Sequence, residues 1–372
     1  MPPIPLLFLG DSPGLQSGLG RIGRDLACLC CQLPEFRVGY LGRGGVATRQ
    51  FPFIQYVFPE SAGWGQDYLN YAWTDFAGDQ PGILFAIWDA TRLHWVPRNR
   101  GFKKWIYCPV DATGPNDRLT GFAAESLAGF DRVLSYTKWG AGVLERTLGK
   151  PVDWIPHGIN LDVFQPRDRK AARIALGFSD KDTVIGCVMT NQQRKDWGLA
   201  AGIAAGLASD LPRVKFWWHV DVLERHWSLP ALIRDYGLED RVRITLTGSL
   251  NDTEMSYYYS GCDLTILPSL GEGFGFPIVE SLACGVPCMV GDYAGGAELV
   301  APWMRVRTQG WRLDGLYNCL RPTYDLGQWL VCIKEALNQS PQAVEAVQSV
   351  LHLDWKNLWP SVWRKWFLEG LA

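Results

Sequence analysis

Two glutamates bracket seven residues in the stretch LPSLGEGFGFPIVESLACGVPCMVGDYAGGAELV (267–300), and that spacing is where the sequence most clearly offers chemistry. A strand-like run ends at Pro268, and a glycine-interleaved loop follows. Pro277 then stands at a favoured first helical position. Glu272 lies in the loop and Glu280 one turn into the helix. Backbone N–H groups from Gly273 to Phe276 converge near a helix N-terminus, which attracts anions, while two carboxylates can accept hydrogen bonds from hydroxyls. Together these features describe a seat for a polar, anionic ligand. Early-turn acids stabilise a helix by themselves, by about 0.3–1 kcal/mol. That accounts for Glu280 without a ligand, but not for Glu272 or the glycines around it.

A second glycine cluster lies near the start, in FLGDSPGLQSGLGRIGRDLA (8–27), where Gly18, Gly20 and Gly23 spell G-x-G-x-x-G. A dinucleotide fingerprint places its first glycine directly after the strand and an acid at the end of the second strand. Here the first strand is expected to end near Leu9, well before Gly18, and the second ends YLGRGG with no acid. The spelling is therefore not read as a dinucleotide site. What remains is a long strand-to-helix loop, either flexible and empty or able to approach a phosphate or sugar closely.

These groups need elements to position them. Strand-like runs alternate with helical patterns throughout, which argues α/β with parallel sheets. Strands are expected at 4–10, 37–41, 82–88, 104–109, 131–136 and 152–155, then at 183–189, 214–219, 242–247, 264–267 and 286–290. Helices are expected at 19–31, 137–148 and 197–211, and residues 159–170 read as a linker. At 372 residues two domains are the prior, and 47% hydrophobic content suffices for two cores. Near-equal charge, 36 basic against 38 acidic side chains, gives no global field favouring nucleic acid or anionic membrane. No apolar run approaches the ~20 residues that span a bilayer, and the start lacks a signal-peptide pattern. Ten cysteines without a CxxC pair or metal spacing suit a reduced, cytoplasmic protein. Trp355, Trp359, Trp363 and Trp366 fall on one helical face and read as a packing stripe, with Pro360 expected to kink or restart the helix.

The 267–300 stretch resembles the E-x7-E signature of GT-B glycosyltransferases, especially the large retaining family 4. "PS" precedes its first Glu and "ACGVP" follows its second. LSYTKWGAGVLERTLGKPVDWIPHGINLDVFQP (134–166), VMTNQQRKDWG (188–198) and the final aromatic helix extend the similarity. The resemblance implies two Rossmann-like domains with parallel sheets facing across a cleft: 1–160 for the acceptor, 161–350 for the nucleotide-sugar donor, and 351–372 as a helix crossing back. It implies a hexosyl- or pentosyltransferase that retains anomeric configuration.

By that resemblance Glu272 would bond the donor sugar hydroxyls, aided by the amides of Gly273, Phe274 and Gly275. Glu280 would hold the ribose, Arg194 and Lys195 would neutralise the diphosphate, and the Gly18 loop would close over it. Where many members carry a His near the anomeric carbon, KKWIYCPVDATG offers Asp111 instead, either an active-site carboxylate or a turn cap. His157 is expected to buttress the linker. Asp180-Lys181-Asp182 spells a metal–diphosphate motif but falls in a helix-to-strand turn and reads as solvated. With two cations at hand, neither a metal nor another cofactor is expected.

The acceptor is the open question. Asp89 is a carboxylate at a strand's carboxyl end, and the stretch TRLHWVPRNRGFKKW (91–105) interleaves Arg92, Arg98, Arg100, Lys103 and Lys104 with Trp95, Phe102 and Trp105. Asp89, Arg92, His94 and Trp95 are the candidate acceptor contacts. The pattern suits a phosphate backbone with stackable bases, an anionic glycolipid at a membrane surface, or a plain solvated face. Two further classes stay open, a catalytically silent sugar-nucleotide-binding protein and an NAD-dependent dehydrogenase.

Overall fold

The computed structural model describes residues 2–47, 50–96, 101–315, 318–339 and 343–371. The chain divides into two compact units. One comprises Met1–His157, Gly315–Cys319 and Trp359–Ala372, and the other Gly158–Asp314 and Leu320–Leu358.

The first unit is built on seven strands: β1 (Ile4–Asp11), β2 (Phe36–Arg43), β3 (Ile54–Phe58), β4 (Gly82–Ala86), β5 (Phe102–Cys108), β6 (Arg132–Ser135) and β7 (Asp153–Trp154). They pair in parallel in the order β3-β2-β1-β4-β5-β6-β7. β1 is thus flanked by β2 and β4, and the strand order reverses there. Leu6, Leu7, Phe8 and Leu9 are all fully buried, as a parallel strand covered on both faces requires. β1 runs on to Asp11, one residue past the expected 4–10. β3, an edge strand with only Phe58 buried, was not anticipated.

The helix after β1, Gly18–Cys30, is capped by Ser17, whose Oγ accepts from Gly20 N at 3.0 Å. Its glycines are packing residues. A Cβ on Gly20 would lie 2.8 Å from Ser12 O, and one on Gly23 would lie 1.9 Å from the Tyr40 hydroxyl. Tyr40 is fully buried and donates to Asp11 O at 2.8 Å. The G-x-G-x-x-G spelling therefore reflects a helix pressed against β1 and β2. Gly23→Ala tests this: alanine gains about 1 kcal/mol of helix propensity, but overpacking a rigid core costs ~1–3 kcal/mol and displacing Tyr40 loses its hydrogen bond to Asp11 O. A net loss of roughly 2 kcal/mol is expected in chemical denaturation.

The tail completes this unit's core. Residues Trp355–Leu358 are α-helical, Trp359–Trp363 form a π-helical turn, and Arg364–Glu369 resume the α-helix. Pro360 lacks the N–H the ladder needs and its ring crowds the preceding turn, so the helix widens here. Trp359, Trp363 and Trp366 are buried, with Trp363 at 4.9 Å from Tyr107 and Trp366 at 5.2 Å from Trp105 by ring centroids. Trp355 instead belongs to the second unit, where Gly158 leaves room for its indole.

The second unit carries β8 (Thr183–Val188), β9 (Val214–Val220), β10 (Val242–Leu246), β11 (Leu264–Leu267), β12 (Cys288–Gly291) and β13 (Arg305–Val306). The parallel order is β10-β9-β8-β11-β12-β13. Here β8 lies between β9 and β11, so the order reverses at β8/β11. Asp180 and Asp182 sit in the turn entering β8. Asp182 accepts from Ser179 N at 2.8 Å and from Arg213 at 3.1 Å, so it holds the turn together rather than facing solvent.

Candidate active site

In an open α/β sheet, ligands collect beyond the carboxyl ends of the strands where the order reverses. At that point in the second unit, β8 leads into residues 189–196 and β11 into the glycine loop. The topology therefore brings together side chains 77 positions apart.

Both loops are braced. Asn191, fully buried, accepts from Trp227 N and donates to the Val222 and Trp227 carbonyls. Asp196 adopts φ 49° and caps the helix Trp197–Asp210 through Leu199 N. Leu270 N donates to Arg194 O at 2.8 Å, tying one loop to the other. Across that tie Lys195 Nζ donates to Glu272 Oε1 at 2.5 Å. Arg194 Nη1 donates to Gly271 O at 2.8 Å and lies 3.3 Å from the same carboxylate oxygen.

Lys195 and Glu272 are both buried, at 7% exposure each. Lys195 is therefore not a solvated residue at a helix start. Burial alone would raise the Glu272 carboxyl, but Lys195 and Arg194 beside it, with hydrogen bonds from Lys195 and Ser269, hold it at about 2. At neutral pH it is an anion able only to accept. Two cations flank this carboxylate, donors of the kind that make charge-assisted hydrogen bonds to an anion.

The helix Phe276–Ala283 starts at Gly275, whose φ of 102° excludes most side chains. A Cβ there would lie 2.8 Å from Ile278 Cδ1. Gly275→Ala is expected to cost ~1–3 kcal/mol through backbone strain and to weaken anion binding by shifting the loop amides, both measurable by calorimetry. Phe274 is buried and T-stacked on Phe276 at 5.8 Å, so it contributes backbone to the loop surface and side chain to the core. Glu280 is buried too, and Tyr259 OH donates to its Oε2 at 2.8 Å. Tyr259 was not singled out in the sequence. Burial, then the neighbouring Glu280, keep its phenol protonated.

In the first unit, the loop after β1 is fastened rather than loose. Asp11 accepts from Ser17 Oγ at 2.7 Å and from Trp88 Nε1 at 3.0 Å. Gly18 is exposed at the head of the capped helix. Asp11 was missed because β1 was expected to end early, although an acid at a parallel strand's carboxyl end is itself a signal. Asp111 is half-buried in the turn after β5, and Asp89 is exposed directly before the 3-10 turn Ala90–Arg92. His94 is exposed with its ring 5.1 Å from Phe122, and Trp95 Nε1 donates to Arg92 O at 3.1 Å. His157 is buried among Tyr107 and Tyr136, its Nδ1 2.8 Å from Tyr107 OH, and burial pulls its pKa far down.

The basic–aromatic stretch 91–105 is not one surface. Arg98 and Arg100 lie outside the described residues. Phe102 and Trp105 belong to β5 and face the core, Phe102 against Trp73 at 4.3 Å and Trp105 against Trp366. The two aromatics lie on opposite faces of a strand covered on both sides, so the interleaving is not a binding ladder. Among the described residues no group of three His, Cys, Asp or Glu side chains gathers as metal ligands, and no helix is long and apolar enough to cross a membrane. All ten cysteines are free thiols.

Comparison with known proteins places this geometry. Residues 224–311 match the family model "Glycosyl transferases group 1". Sucrose-phosphate synthase from Thermosynechococcus elongatus superposes with a TM-score of 0.73 at 16% identity, over 98% of this chain and 100% of that one. The chain carries the GT-B fold of glycosyltransferases. HepE of Anabaena, solved with UDP and glucose, shares that GT-B fold at TM-score 0.72 and 17% identity, over 99% of both chains. D-inositol 3-phosphate glycosyltransferase of Mycobacterium sp. (strain KMS) is 32% identical over 194 residues, 51% of this GT-B chain. The matched segment is 40% of that relative's own length, so the chain spans less than half of it.

Proposed function

We propose that the chain transfers a hexosyl or pentosyl group from a nucleoside diphosphate sugar to an acceptor hydroxyl, with retention of anomeric configuration. The observation that carries this reading is the cluster of Arg194, Lys195 and Glu272 at the reversal point of the second sheet. It is supported by the group 1 glycosyltransferase segment, by the D-inositol 3-phosphate glycosyltransferase relative, and by the UDP and glucose bound to HepE.

In this mechanism Arg194 and Lys195 stabilise the charge developing on the leaving diphosphate. Those cations would supply the neutralisation that a metal supplies elsewhere. Glu272, with the amides of Gly273, Phe274 and Gly275, orients the donor sugar through its hydroxyls. Glu280, oriented by the hydrogen bond from Tyr259, accepts from the ribose. The bond from the anomeric carbon to the diphosphate oxygen breaks, and the acceptor oxygen forms its bond on the same face. The acceptor proton passes to the departing diphosphate oxygen. In the first unit, the Gly18 loop is proposed to close over the diphosphate, Asp111 to act beside the anomeric carbon, and Asp89, Arg92, His94 and Trp95 to meet the acceptor. A cytoplasmic location fits the ten free thiols.

The test is release of nucleoside diphosphate from UDP-, GDP-, ADP- and dTDP-sugars with a panel of hydroxyl acceptors. Acceptor-dependent release supports transfer. Donor binding without release under every acceptor would make the chain a silent sugar-nucleotide-binding protein, and binding of NAD alone would return the dehydrogenase.

A further inference from the structure

The glycine loop that carries Glu272 is gripped by its carbonyls. After β13 the second unit continues into a two-stranded sheet, β14 (Gly310–Asp314) and β15 (Cys319–Thr323). Arg321 on β15 is buried, at 4% exposure, and its Nη1 donates to Leu270 O at 3.5 Å. Asp314 on β14, with its side chain 13% exposed, lies 3.9 Å from Arg321 Nε. Arg321, Asp314 and Leu270 all belong to the second unit.

Each carbonyl from residue 270 to 272 is taken by a different part of the chain. Leu270 O accepts from Arg321, and Gly271 O accepts from Arg194 Nη1 at 2.8 Å. Glu272 O accepts from Gly296 N at 3.3 Å, in the short helix Ala294–Ala297. Gly271 stands at φ 144° with no side chain to anchor it, so the course of the loop there depends on those bonds. Leu270 is the junction, because its N–H also ties the loop to Arg194 O at 2.8 Å. A neutral donor would satisfy one carbonyl at less cost than a guanidinium taken out of water. Arginine adds two things here: a rigid fork with donors toward both Leu270 O and Asp314, and a charge that strengthens the bond to the carbonyl.

We infer that Arg321 is a positioning residue of this site: it fixes Leu270, and through Leu270 the placement of Glu272 and the Gly273–Gly275 amides. This rests on the reading of the site as one that transfers a sugar from a nucleotide. Arg194 and Lys195 belong to the other loop, which Asn191 and Asp196 brace separately. Losing Arg321 therefore misplaces the groups that meet the sugar and spares those that meet the diphosphate.

The test compares the full wild-type chain with Arg321→Met and Arg321→Lys by segment-resolved hydrogen exchange, UDP calorimetry and nucleoside diphosphate release. In Arg321→Met, residues 269–275 should exchange about tenfold faster while β8 and β11 keep their protection. The turnover number should fall by about 10–10²-fold, as for a misplacement on the order of 1 Å, with UDP affinity retained. Arg321→Lys, which keeps the charge and loses the fork, should fall between, and carries the same comparison if Arg321→Met does not fold. Unchanged loop exchange overturns the inference, whatever the turnover. So does exchange that rises equally in β8, β11 and the loop, which would make Arg321 a general core prop. Faster loop exchange with full turnover sinks the inference and leaves transfer standing. A wild-type chain that binds UDP but releases no nucleoside diphosphate sinks the transfer reading, and loop exchange then decides the positioning role by itself.

Discussion

Lys195→Met is expected to lower the turnover number by about 10²–10³-fold, the penalty for removing one group that stabilises transition-state charge. The same change should cost about 3–5 kcal/mol of stability, because it strips a buried carboxylate of its closest cation. Glu272 remains 3.3 Å from Arg194, so the lower end of that range is the expectation. Both effects follow from one contact, Nζ to Oε1 at 2.5 Å between two buried side chains. A double replacement separates them. Lys195→Met with Glu272→Leu removes the orphaned charge, so stability should largely return while transfer stays lost. Urea denaturation and nucleoside diphosphate release, run on both variants, check the pair. Glu272→Ala is expected to be destabilising as well, since Ala would leave Lys195 buried beside an empty space.

The second large effect is on acid stability. Glu272 is held at about 2 against an ordinary value of 4.5. Because its folded value is the lower one, its contribution is fully present above pH 4.5 and is lost as pH falls from there through about 2. The size is ~3 kcal/mol, from 1.36 kcal/mol per unit. Glu272→Gln removes the titrating group, so the wild-type advantage over this variant should shrink steadily on acidification through that window. Chemical denaturation of the two proteins at pH 5 and pH 3 measures it. A constant difference would show that the ion pair does not hold the carboxylate down.

The parts of this molecule legible in the sequence are those with local causes. The glycine loop, Pro277 and the helix behind it declare themselves because turn and cap chemistry acts over a few residues. The inner strands are equally plain, since burial on both faces leaves an unbroken apolar run, as at Leu6 to Leu9. Meetings set by strand order are different. Nothing in residues 194–195 or 272 alone announces their contact, and only the family resemblance joined them. Edge strand β3 was missed because a half-exposed strand lacks the apolar run that marks the centre. Lys103, Lys104 and Trp105 misled in the opposite way: mixed polarity looked like a surface, whereas the strand start is exposed and Trp105, further along, lies in a sheet covered on both faces. Gly20 and Gly23 pack against Ser12 and Tyr40, a contact that could not be seen before the helix had a sheet to rest on.

The central claim is that Arg194, Lys195 and Glu272 hold an activated sugar through its diphosphate. The most direct measurement is calorimetric titration of the wild-type chain and Arg194→Ala with UDP-, GDP-, ADP- and dTDP-sugars. The account predicts one saturable site for at least one of these donors, weakened tenfold or more by the substitution, about 1.4 kcal/mol. No binding of any donor, or equal binding by both proteins, would contradict it.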